Sequence, residues 1–433
     1  MLQGILIIIV FLIIAGLMLA RKLPTMLALP ILAITIALIA GIPFFEVGED
    51  GVDTGILAGV IESGTIRLAS AYIAVVFGAW LGRIMIETGI TNRTIKMAAE
   101  LGGDRPLIVT VLMVIAVAVL FTTLAGLGAV IMVGSIILPI LFSIGVPAIT
   151  SVSLFLFAMG IGLTLNVANW NFYMSVLSIG KDTIQNFALI LAGLTAVITV
   201  VFLIVEYRRH GYGAAWSQSN TDFNNENGEE KKVPMISLLT PLIPIGMVII
   251  FDWPIIPSFI VAILFSLIIT QKSIKRFVNT LTKTALDGIS DVAPVIMLMM
   301  GIGMLLEVVT HPKVGDIMGP LLEAVIPSQM IGYILFFALL APLALYRGPL
   351  NMWGLGSGIG SLIISLNLLS PHAVMGALLS TERMQAIADP TNTHNVWLAN
   401  YAGVDVNQVL QKVLPYVWIL SALGVISSAI IWF

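Results

Sequence analysis

The sequence of 433 residues contains no cysteine, and only 10% of its residues are charged. The lack of cysteine excludes disulfide bonds, thiolate catalysis and cysteine-ligated metals. Soluble globular proteins carry about 25% charged residues, so a surface with less than half of that charge faces something other than water. The sequence also lacks a basic tail, a Walker-type loop, a zinc-ligand spacing and a nucleophile elbow. These absences argue against nucleic-acid binding and against an enzyme.

Apolar residues make up 59% of the chain and form long runs that few charges interrupt. A chain that crosses lipid satisfies its backbone polar groups internally, as a helix or a closed barrel. Barrel strands read as alternating segments of about 10 residues, whereas these runs are continuous and longer. The sequence therefore predicts an all-α integral membrane protein with about 12–14 transmembrane segments of about 20 residues. We place them near residues 2–20, 24–43, 70–89, 107–123, 129–146, 148–165, 183–205, 235–251, 254–270, 291–309, 328–345, 350–366, 372–388 and 409–433.

A polar stretch divides the chain into two transmembrane repeats, 1–207 and 234–433, joined by a cytoplasmic linker at 208–233. Lysine and arginine clusters mark cytoplasmic loops of a multi-pass protein in an inner or plasma membrane. By this rule the loop 271–287 is internal, whereas the acidic loop 46–62 is external. An odd number of crossings in each half then inserts the second half upside down.

The two halves also share residues at a nearly constant displacement. Gly126, Gly134 and Ser135 match Gly348, Gly356 and Ser357 at 222, and Asn169, Gly180 and Asp182 match Asn392, Gly403 and Asp405 at 223. Inverted-topology repeats are typical of secondary transporters, which bind substrate near the midplane at broken helices. This duplication is the main step from the predicted fold to a predicted function.

Polar and small residues break the apolar runs at two corresponding places in each half, 122–128 with 345–351 and 164–171 with 389–395. Such residues are costly in lipid but tolerable where the backbone lines a polar cavity. The alternative is that these segments are interfacial loops. The cavity interpretation predicts these substrate-binding residues: Thr123, Gly126, Asn166, Asn169, Arg347, Gly348, Asn351, Thr391, Asn392, Thr393 and Asn395.

Arg347 is the strongest single candidate. Its repeat counterpart is Ala125, so the shared scaffold does not require the charge, and a guanidinium is suited to binding a carboxylate. A snorkelling arginine at a helix end is the competing interpretation. For ion coupling we predict Asp389, His394 and Glu307, the last without an obvious local partner. A sodium ion is an option near Asn169, Asp389 and Asn392, and Glu382-Arg383 reads as a local pair.

Two segments, AGLGAVIMVGS at Ala125–Ser135 and ADPTNTHNVW at Ala388–Trp397, resemble the ion transporter superfamily, and within it the gluconate permease and citrate or dicarboxylate carrier branch. The resemblance implies transport of a small carboxylate coupled to H⁺ or Na⁺, with broken helices forming the site. Gluconate permeases carry Asp-Ser-Gly-Phe-Trp near the first break, where this chain has Asn169 to Tyr173, so gluconate itself is not implied.

The sequence therefore predicts a secondary active transporter, a symporter for a small organic anion in the lipid bilayer, with no cofactor and with H⁺ or Na⁺ as coupling ion. A cation/proton antiporter is the alternative within transport. A channel-like or accessory membrane subunit is the alternative of another class. The oligomeric state stays open, with a homodimer as one option.

Overall fold

A computed structural model describes residues 2–20, 22–47, 53–103, 105–210 and 233–433. Within these ranges the chain is helical, and the only β-pairing is an isolated bridge between Val47 and Asp53. The α-helices, in chain order, are α1 (Leu2–Leu19), α2 (Thr25–Ile39), α3 (Gly64–Arg67), α4 (Ala69–Thr88), α5 (Ile90–Gly102), α6 (Pro106–Leu120), α7 (Gly126–Ser143), α8 (Ala148–Thr164), α9 (Val167–Leu177), α10 (Lys181–His210), α11 (Ile243–Ile250), α12 (Ile255–Thr270), α13 (Ile274–Thr310), α14 (Pro312–Glu323), α15 (Met330–Leu340), α16 (Leu355–Ser365), α17 (Pro371–Ala388), α18 (Thr393–Tyr401) and α19 (Val406–Trp432). A π-helical stretch, Ile56–Ser63, precedes α3, and 3-10 turns occupy Met235–Leu242 and Ala341–Arg347.

The chain is a multi-pass helical membrane protein, as predicted. Six helical stretches in the described residues are long and apolar enough to cross a membrane, and the pair α8–α9, bent by 61°, makes up to seven. Shorter apolar helices of 10–17 residues include α1, α2, α6, α12 and α16. The predicted transmembrane segments therefore divide into full-length spans and shorter helices, with a broken or re-entrant pair among them.

Two predicted loops are partly helical instead. The internal loop 271–287 lies mostly within α13, and the external loop 46–62 ends in the π-helical stretch that continues into a 33-residue span, Ile56–Thr88. The charges that suggested a loop, such as Lys275 and Arg276, are exposed on the first turn of α13. A helix whose charged residues stay outward tolerates them without ending. Most of the predicted linker, residues 211–232, lies outside the described residues.

The helix order of the second half repeats that of the first. In both, a helix leads to an irregular break, two helices follow, and a short helix after a second break precedes a long final helix: α6–α10 and α15–α19. Asn166 and Asn392 each cap the short helix by accepting a hydrogen bond from the backbone N–H two residues on. The structure thus matches Asn392 with Asn166, whereas the sequence displacement matched it with Asn169.

Helix α17 is the most enclosed element of the second half. Every residue from Ala373 to Ala388 is buried, although the helix contains both Glu382 and Arg383. A helix buried all round is normally apolar, and charges inside one require partners. The packing of α17 against α8, α16 and α19 therefore places an ionic group in the interior.

Candidate functional site

The two breaks of the second half meet at Asp389, which is fully buried. Its Oδ2 accepts a hydrogen bond from the backbone N–H of Tyr346 at 2.7 Å. Its Oδ1 accepts from the N–H and the hydroxyl of Thr391, at 2.8 and 2.6 Å. The carboxylate therefore ties the 389–392 break to the end of the 3-10 turn at Ala341–Arg347.

The backbone that Asp389 holds is strained. Tyr346 and Arg347 have φ of 58° and 55°, a left-handed conformation that costs non-glycine residues on the order of 1–3 kcal/mol and persists only where the surroundings enforce it. Asn351, also buried, braces the same loop: its amide donates to the carbonyl of Ala344 at 3.0 Å and accepts from the N–H of Trp353 at 2.8 Å. Gly348 leaves no room for a Cβ, which would contact the carbonyl oxygen of Leu343.

Arg347 faces a cavity of about 250 Å³ between the α1–α2 turn and the second-half breaks, which Thr25 and Thr391 also line. One of its guanidinium N–H groups donates to the carbonyl of Trp353 at 3.0 Å. Among the described residues no carboxylate lies within 4.0 Å of the guanidinium. This arginine is half-buried at the meeting of the two breaks.

The breaks of the first half meet at Asn166 in the same manner. Its buried amide donates to the carbonyls of Phe121 and Leu124, at 3.4 and 3.5 Å. Thr123 is buried beside this contact, and Gly126, with φ of 84°, opens α7. Both halves therefore join their breaks through a polar side chain.

A buried ionic cluster joins the two halves. The Glu382 Oε1 atom lies 3.2 Å from Arg383 Nη2, and the two side chains are 5% and 2% exposed. From the first half, the hydroxyl of Tyr173 donates to Glu382 Oε1 at 2.9 Å. Arg383 donates to Thr164 Oγ1 and to the carbonyl of Gly160, on α8. The local pair that the sequence suggested is thus present, and both of its members also contact the first half.

This cluster retains unused hydrogen-bonding capacity. Glu382 Oε2 and Arg383 Nε are buried and have no hydrogen-bond partner among the described residues. Leaving such a group unsatisfied costs about 1–3 kcal/mol, and more when it is charged. Buried unsatisfied groups of this kind are expected where a protein binds a ligand, water or a proton.

Trp353 links the cluster to the cavity. Its carbonyl accepts from Arg347, and its indole N–H donates to Glu382 Oε1 at 3.0 Å. Its ring stacks on Phe172 of α9, with centroids 3.9 Å apart and planes 18° from parallel. Arg347 is therefore connected to the Glu382 carboxylate through Trp353, by one hydrogen bond to its carbonyl and one from its indole N–H.

The other predicted residues fall around this network. Asn392 and Asn395 are buried, and the Asn395 Oδ1 atom has no hydrogen-bond partner in the described chain. Thr393 is exposed, and His394 and Asn169 are half-buried. Glu307, for which the sequence shows no obvious local partner, lies 3.0 Å from Arg67, a residue far away along the chain.

No protein-family model matches this chain, and no curated protein matches it. Among solved structures, it is similar to the crystal structure of the YdaH transporter of Alcanivorax borkumensis, which is described as having an unusual topology. The TM-score is 0.59 and the identity 13%, over 94% of this chain and 97% of the other. The chain therefore shares the fold of that protein, and a likeness at this identity shows the fold alone.

Proposed function

We propose that this protein is a secondary active transporter of a small organic anion, coupled to protons through Glu382. The observation that carries the proposal is the single polar network in which Arg347, facing a cavity, connects through Trp353 to a carboxylate shared by both halves. Transporters built from repeats place substrate and coupling ion where the repeats meet. The likeness of the fold to a membrane transporter and the resemblance to carboxylate carriers agree with this assignment.

Arg347 supplies the anion recognition. A guanidinium has five N–H donors, and one of them is used within the described chain. The remaining donors are suited to a bidentate carboxylate in the cavity. The hydroxyl of Thr391 donates a hydrogen bond to Asp389, and this bond fixes the position of Thr391 in the cavity wall.

Glu382 supplies the coupling. Its Oε2 atom is unpartnered and can accept a proton without breaking an existing hydrogen bond. Protonation would weaken the attraction to Arg383 and the contacts with Tyr173, which hold the two halves together. Asp389, the sequence-based candidate, accepts three hydrogen bonds that brace the breaks, and its coupling role stays a prediction.

The cation/proton antiporter has less support. It requires Asp389 and Glu307 as ion sites, and the first is occupied by backbone and hydroxyl donors while the second is paired with Arg67. A channel-like subunit would not need an ionic cluster between repeats. Concentrative uptake distinguishes a carrier from a channel.

Proton flux in proteoliposomes tests the proposal. The full-length protein is reconstituted with an entrapped pH-sensitive dye, and single mono- and dicarboxylates are added outside, with protein-free liposomes measuring passive entry. We expect a transported carboxylate to acidify the lumen. Glu382→Gln should abolish this acidification and preserve exchange of labelled carboxylate, because it removes the titrating group and keeps the side-chain shape.

Glu323→Gln is the matched control, since Glu323 is exposed at the end of α14. It should behave as the wild type. Undiminished acidification in Glu382→Gln would show that another residue carries the coupling. Uptake that depends on an inward Na⁺ gradient, without acidification, would show that Na⁺ is the coupling ion. Failure of every carboxylate to enter above the protein-free rate would refute the proposed substrate class.

A further inference from the structure

Two cavities lie side by side at the second-half break, and they differ in character. The first contains Arg347 and is lined by Thr25 and Thr391. The second, of about 240 Å³, lies between α1 and the 3-10 turn and is lined by apolar residues that include Ala15, Pro342, Leu343, Pro349 and Leu355. Among the described residues that line the second cavity, none is charged.

The cavities are adjacent, because Met18 and Tyr346 line both. Sites for small organic molecules have volumes of about 300–1,000 Å³, and each of these cavities alone is smaller. The two together fall within that range. A ligand at Arg347 that is too large for the first cavity would therefore extend past Tyr346 into the apolar cavity.

We infer that the transported anion is amphipathic: a carboxylate held at Arg347, attached to an apolar body that occupies the second cavity. This inference rests on the proposed function and narrows its substrate class. A polyhydroxylated or tricarboxylic acid would bury hydroxyl or carboxylate groups against Pro342, Leu343 and Leu355, and among the described lining residues Tyr346 alone has a side-chain donor. Burying such groups without a hydrogen bond is unfavourable.

The probes are straight-chain monocarboxylates from butanoate to octanoate, measured against the full-length protein in lipid nanodiscs, with protein-free nanodiscs subtracting partition into lipid. A buried methylene contributes about 0.8 kcal/mol, which corresponds to about fourfold in affinity. We expect affinity to rise by up to about fourfold per methylene. Gluconate, with six carbons, should bind far more weakly than hexanoate, and octylammonium should not bind through Arg347.

Ala15→Phe tests the location, because it fills the second cavity from α1. It should remove the dependence on chain length, so that octanoate loses more affinity than butanoate does. Ile13→Phe is the matched control, since Ile13 is on the same helix, 56% exposed and outside the lining of both cavities. This variant should keep the wild-type chain-length series.

The outcomes separate the inference from the proposal on which it rests. Equal affinity for gluconate and hexanoate, both lost in Arg347→Gln, would overturn the amphipathic substrate and leave the anion transporter standing. An unchanged chain-length series in Ala15→Phe would likewise overturn the placement of the apolar body. Carboxylate binding that survives Arg347→Gln, or equal binding of octylammonium, would overturn the anion site itself.

Discussion

At the scale of single residues, the proposed anion site depends on Arg347. If Arg347 binds the carboxylate, replacing it by alanine removes a charge-assisted hydrogen bond worth about 1.5–3 kcal/mol, or roughly 10- to 150-fold in affinity. Arg347→Lys keeps the charge but loses the planar fork, so it should weaken binding by less. Affinity for the transported carboxylate, at matched protein level in the membrane, checks both values.

Arg93→Ala is the control for surface charge, because Arg93 lies on α5 and is 38% exposed. It should bind as the wild type does. A nearly normal Arg347→Lys, together with an Arg347→Ala variant impaired mainly in expression, would instead describe a snorkelling residue and contradict the site.

Asp389 is the residue whose interpretation the structure changes most. If its carboxylate braces Tyr346 and Thr391, Asp389→Asn places an amide N–H against one of these donors and leaves it unsatisfied. The expected loss is about 1–3 kcal/mol of stability, with concentrative uptake and exchange falling together. Thermal unfolding and both transport assays measure this. A stable variant that retains exchange and loses only accumulation would show that Asp389 couples the ion, as the sequence suggested.

At the scale of elements, the apolar runs predicted nearly every membrane helix, because about 20 apolar residues are both sufficient and conspicuous. The missed elements are those whose sequences do not look like spans. Examples are the amphipathic helices α5 and α14 and the short helices α9 and α18.

In the site, Arg347 and Asp389 could be found from the sequence because they are charges at breaks. Tyr173 and Trp353 do not, because an aromatic residue in an apolar run usually indicates packing, and the partners of Glu382 are up to 209 residues away.

We expect the stability of the junction between α13 and α14 to depend on pH through His311. Its Nδ1 accepts a hydrogen bond from the N–H of Lys313 at 3.2 Å and caps α14. Burial lowers the pKa of His311, while Glu46 opposes this shift and Lys313 adds to it. A lowered pKa in the folded state means that the neutral, capping form contributes stability above the unfolded value of about 6.5. That contribution is lost as the pH falls through the folded pKa.

The wild type should therefore lose about 1 kcal/mol of stability, the value of a cap, on acidification from about pH 8 to about pH 5. His311→Asn caps without titrating, so its unfolding temperature should fall less over the same range. Thermal unfolding of both proteins across the series measures the difference. Parallel curves for the two proteins would show that His311 does not carry this pH dependence.

At the scale of the whole molecule, the proposed transport by alternating access requires the two halves to move against each other, and α8 and α17 form one of the contacts between them. A Cβ atom built on Gly160 of α8 would lie 3.0 Å from Ile387 Cγ1 of α17. Cysteine side chains at these two positions would therefore be close enough to form a disulfide. Since the natural chain has no cysteine, Gly160→Cys with Ile387→Cys forms the only possible bridge. We expect oxidation of this pair to stop uptake and a reducing agent to restore it.

Ser70→Cys with Ser175→Cys is the control, because the two serine hydroxyls lie 3.1 Å apart within the first half. Oxidation of this control pair should leave uptake intact. Wild-type uptake by the oxidised Gly160–Ile387 pair, with cross-linking verified, would show that the halves do not separate at the Glu382–Arg383 cluster, and the proposed coupling would lose its mechanical basis.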